Sequence, residues 1–73
     1  MRKVYLDHVA VNDIDFLLCD IRQHMWTLKF DHELTDEGRA EEIKNIAKQA
    51  KDLAKTAKAL QKEFDFNLAI LSD

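Results

Sequence analysis

Along two stretches of this chain apolar residues recur at every third or fourth position, and the gap between the stretches is short. The second stretch carries Ile43, Ile46, Ala50, Leu53, Ala57, Leu60, Phe64 and Leu71, with Asn67 in one polar slot and Ala40, Ala47 and Ala54 along its edge. That is a heptad seam, the signature of a helix laid against another helix. The first stretch carries Val4, Val11, Ile14, Leu18, Ile21, Met25 and Leu28, interrupted by Asp7 and ending at His32. Between them lies DHELTDEG, residues 31–38, which holds the only glycine, Gly38, in a chain without proline. Thr35 is placed to accept a backbone N–H as a helix N-cap, and Asp36 and Glu37 suit the positive end of the helix dipole that follows. The pattern predicts one all-α domain: an antiparallel helix-loop-helix hairpin with helix 1 over about 4–31, a loop over about 32–36 and helix 2 over about 37–70.

Two local features pull against this reading near the open end. KVYLDHVAV is rich in β-branched residues and FDFNLAIL alternates with period two, so a pair of short strands is the competing expectation, with Asn12 and Asp13 capping a shorter first helix. Asp7 and Asn67 fall at seam positions in the same region. We read them as frayed ends rather than as a polar layer that sets register.

The first stretch also has a second apolar stripe. Tyr5, Val9, Phe16, Cys19, Trp26 and Phe30 fall within roughly 80° to 180° on a helical wheel, opposite the seam. A hairpin partner covers only one side of a helix, so this stripe would leave several hundred Å² of apolar surface in water, more than a soluble monomer usually shows. Self-association is the expected cover: two hairpins pack first helix against first helix as a homodimeric four-helix bundle. A different protein is the other candidate, because aromatic residues and methionine are enriched in binding cores.

Composition and charge change the picture modestly. A chain of 73 residues buries only ~60% of its unfolded surface and often needs disulfides, a metal or self-association. Cys19 is the only cysteine, which excludes an internal disulfide and points to a reducing cytoplasm. The longest uncharged apolar runs, such as Phe16 to Cys19, fall far short of the ~20 residues of a membrane span. Residues 1–42 carry ten acids and five bases, whereas residues 43–73 carry four acids and six bases. Those six are the lysine row Lys44, Lys48, Lys51, Lys55, Lys58 and Lys62, on the side of the second helix away from its seam. Such a row suits RNA, DNA or a phosphorylated ligand, yet it contains no arginine and almost no interleaved aromatic residue, and the whole chain is acidic. A solvated helix face is the favoured reading.

Catalytic and metal chemistry find little support. His8, His24 and His32 accompany Cys19, and Asp20 lies one turn from His24, but there is no CxxC, HxxxH or ExxH pair. Nothing near Cys19 in sequence activates it as a nucleophile, and in the aromatic stripe it serves as a small hydrophobe. The sequence therefore predicts a non-enzymatic protein without metal or cofactor. Its expected role is that of a small regulator or adaptor, or an inhibitor of a partner protein, of the size common among phage and mobile-element proteins. It acts by protein–protein binding, with polyanion binding through the lysine row as the alternative.

Overall fold

The computed structural model describes residues 3–72, Ser72 by its backbone alone. Two helices, α1 (His8–Phe30) and α2 (Asp36–Ser72), are joined by residues 31–35. Contacts link the end of α1 to the start of α2 through His24 and Glu42, and link Ile14 to the neighbourhood of Ala57 and Tyr5 to that of Ile70. The helices are thus antiparallel, and no strand occurs among the described residues.

The first helix begins later than the periodicity suggests, at His8 rather than near residue 4. Asp7 is the reason. Its carboxylate accepts the backbone N–H groups of Val9 at 3.0 Å and Ala10 at 3.3 Å, and its carbonyl accepts that of Val11 at 3.1 Å. A short acceptor side chain does more for a helix by satisfying its orphan N–H groups than by sitting inside it, so the helix starts behind Asp7. Asp7 is therefore neither a frayed seam residue nor a register layer, and Asn12 and Asp13 lie inside α1. Residues 3–7 precede the helix without regular structure.

The turn forms where expected, over 31–35 instead of 32–36. Asp31 closes α1 by donating its N–H to the Thr27 carbonyl at 2.9 Å, while its own carboxylate accepts the Glu33 N–H at 3.1 Å. Thr35 caps α2: its Oγ1 accepts the Gly38 N–H at 3.1 Å, and its carbonyl accepts the Arg39 N–H at 2.9 Å. A Cβ on Gly38 would sit 2.7 Å from Leu34 Cδ1, so the missing side chain lets Leu34 close over the first turn of α2. From there α2 runs unbroken through 37 residues to Ser72, past the expected end near residue 70.

Helix lengths of 23 and 37 residues look mismatched, and the extended segment corrects this. Extended chain advances ~3.3 Å per residue against 1.5 Å in a helix, so five residues cover the span of about ten on α2. Leu6 accordingly lies by Leu60 and Phe64, and Lys3 and Tyr5 lie by Asn67, Ile70 and Leu71.

Packing of the two rods is thin. Among the described residues none is buried. The hairpin measures 58 × 18 × 14 Å with a radius of gyration of 17.3 Å, where a compact domain of this length has about 11 Å. Its surface is 6368 Å², against ~4,700 Å² for a compact protein of this mass. Among the described residues the hairpin alone has no hydrophobic core.

Candidate functional site: two apolar docking surfaces

Half-buried residues trace where the helices meet. On α1 they are Ala10, Ile14, Leu17, Ile21, His24, Thr27 and Leu28; on α2 they include Glu42, Ile46, Gln49, Leu53, Thr56, Leu60, Phe64 and Asn67. Both contact lines are rotated from the seams that the sequence pattern predicts. On α1 the line moves toward Leu17 and His24, which leaves Val11, Leu18 and Met25 at the rim with 36%, 43% and 45% exposure. On α2 it moves toward Gln49 and Thr56, leaving Ala50, Ala57 and Leu71 exposed and Ile43 57% exposed. Ile14, Ile21, Leu28, Ile46, Leu53, Leu60, Phe64 and Asn67 keep their expected places. Val4 is half-buried, but in the segment ahead of α1 rather than on it.

A polar pair sits in this contact. His24 Nδ1 meets Glu42 Oε2 across the helices near the turn, with both side chains half-buried. Positions 24 and 42 are equidistant from residue 33, so a hairpin bent there brings them level; sequence reasoning that paired His24 with Asp20 on one helix missed the partner on the other. Among the described residues no group of three or more His, Cys, Asp or Glu side chains is placed to hold a metal ion. Farther along the contact, the Gln49 side-chain oxygen is buried without a hydrogen-bond partner.

The two rotations have the same sense. Both helices are right-handed and run antiparallel, so positions displaced in one rotational sense from the two contact lines lie on one side of the hairpin. Val11, Leu18 and Met25 of α1 and Ile43, Ala50 and Ala57 of α2 therefore share a single apolar face. A groove of about 410 Å³ between Leu6 and Ile14 on one side and Ala57, Leu60 and Phe64 on the other opens onto its far end.

The aromatic stripe is a separate surface. Val9, Phe16, Cys19, Trp26 and Phe30 lie on α1 roughly 100° to 180° from the contact line, and Phe16, Trp26 and Phe30 are 72%, 64% and 54% exposed. The rings of Trp26 and Phe30 lie one turn apart in a tilted contact, with centroids 5.1 Å apart and planes at 49°. Lys29 Nζ lies 5.9 Å from the centre of the Phe30 ring. Tyr5 does not join the stripe, because it precedes the helix and turns toward Asn67 and Ile70 at the end of α2. Cys19 is free and exposed.

The six lysines at 44, 48, 51, 55, 58 and 62 are all exposed on the side of α2 away from α1. The ion pairs seen among the described residues, His24 with Glu42 and Arg39 with Asp36 at 3.6 Å, involve none of them. No helix among the described residues is long and apolar enough to cross a membrane. The chain matches no protein-family model, no curated protein sequence and no solved structure.

Proposed function

We propose that this chain is a small non-enzymatic adaptor or regulator that acts by binding another protein, with the outer stripe of α1 as its docking surface. The observation that carries this reading is the exposure of Phe16, Trp26 and Phe30 on a side of α1 that α2 cannot reach. Binding energy concentrates on large aromatic side chains that become fully desolvated, and Trp26 in contact with Phe30 offers such an anchor. Where docking on this stripe restrains the bound protein, the chain acts as its inhibitor, which is one form of the same role.

The test compares wild-type and Trp26→Asp chains as bait in affinity purification from the native cell, with circular dichroism of both. A protein held by the wild type and lost by the variant at equal helicity is the expected result. Identical captures by the two baits would remove the stripe from the function.

One observation favours a second reading. Six exposed lysines, none engaged in an ion pair, form a continuous cationic row on α2, as a polyanion site of RNA, DNA or a phosphorylated ligand requires. Against it stand the four carboxylates on α2 among or beside the row, Glu41, Asp52, Glu63 and Asp65, and the net charge of −3.

A further inference from the structure

The face that joins Val11, Leu18 and Met25 to Ile43, Ala50 and Ala57 is distinct from the aromatic stripe, and its occupant is a separate question from what the stripe binds. We infer that this face receives a second copy of the chain, so that two hairpins meet face to face as a four-helix bundle and the aromatic stripes stay outside.

Four observations support a second copy. First, none of the protomer's described residues is buried, so a second copy supplies burial that the hairpin lacks. Second, the area fits. A face 58 Å long and 18 Å wide offers on the order of 1,000 Å², against the ~800 Å² per partner of a standard stable interface, and the chain exposes well over that much beyond a compact protein of its mass. Third, both helices use only one edge of their apolar arcs for each other, and the unused edges fall on this same side.

Fourth, the face is self-complementary about its centre. Val11, Leu18 and Met25 are spaced by seven, as are Ile43, Ala50 and Ala57. A twofold axis through the level of Leu18 and Ala50 therefore lays Leu18 on the partner's Leu18, Val11 on the partner's Met25, and Ala50 on the partner's Ala50. Asp15 and Arg22 flank Leu18 at nearly equal distances on the rim of this row. In an antiparallel copy each comes beside the opposite charge. Alanines at 47, 50, 54 and 57 let the two α2 rods approach closely, while the bulkier row fills the space between the α1 rods. This keeps the first-helix-to-first-helix pairing expected from sequence but moves it to the opposite flank.

Sedimentation equilibrium over a concentration series tests this with three chains. Wild type is expected at twice the 8.5 kDa chain mass. Ala50→Glu is expected at the single-chain mass; Ala50 is already exposed in the protomer, so this change removes no contact within it and its effect reads on association. Phe16→Asp, on the stripe, is expected to stay dimeric. Orientation is read by oxidative cross-linking in a Cys19→Ser background, where Leu18→Cys alone and Ala50→Cys alone are each expected to link two copies. A monomeric wild type, an Ala50→Glu chain that stays dimeric, or a Phe16→Asp chain that dissociates would each overturn the inference. Because loss of the stripe partner with an intact dimer defeats only the proposed function, the two readings fail separately.

Discussion

Single residues decide where these helices start and how they are rotated. Asp7 and Thr35 each supply a side-chain oxygen to N–H groups that a helix cannot satisfy internally, at a typical worth of ~1 kcal/mol. The cap at Thr35 was legible because a polar, glycine-bearing break surrounds it. The cap at Asp7 was not, since apolar residues on both sides continue the helical period across it. Gln49 is the reverse case, a polar group drawn into the contact with its side-chain oxygen left unpartnered. A buried acceptor without a donor costs ~1–3 kcal/mol, and methionine matches glutamine in length and shape. Gln49→Met is therefore expected to raise the melting temperature by about 4–8 °C, the shift that 1 kcal/mol gives in a domain of this size. Thermal denaturation followed by circular dichroism at a fixed chain concentration checks it, and an unchanged or lower midpoint would show that Gln49 finds a partner in solution.

At the scale of the elements, the hairpin, its turn and its antiparallel sense could be read from the sequence because breakers are confined to one place. Which edge of each apolar arc meets the other helix could not. Periodicity registers every apolar face a helix has, whether it meets the neighbouring helix or something outside the chain, and here both helices carry more than one. Leu17 and Thr56 entered the contact while Leu18 and Ala57 moved to its rim, and the His24–Glu42 pair lies within the rotated contact. Tyr5 was assigned to a wheel that does not extend to it. The lysine row of α2 is exposed where expected, and a solvated face is the reading that the surrounding carboxylates favour. Gel shift with RNA and DNA is expected to show no complex even at ~50 mM salt, where phosphate contacts are strong. A complex that weakens steeply with added salt and disappears on replacing Lys48, Lys51 and Lys55 with alanine would transfer the function to this row.

For the whole molecule, the deciding fact is a rod 58 Å long in which none of the described residues is buried. Short chains bury little surface on a thin contact, and the proposed second copy would add the burial that this hairpin lacks. On the proposals above, the two apolar surfaces serve two kinds of partner: another copy at the flank through Leu18 and Ala50, and a different protein at the stripe through Phe16 and Trp26. Trp26 is the only tryptophan, which gives one optical probe placed on the second surface alone. Acrylamide quenching of its fluorescence, followed across the concentration range in which the mass doubles, tests this division directly. The account predicts an accessible tryptophan whose quenching does not change as dimers form; quenching that falls, with emission moving to shorter wavelength in step with dimerisation, would contradict it.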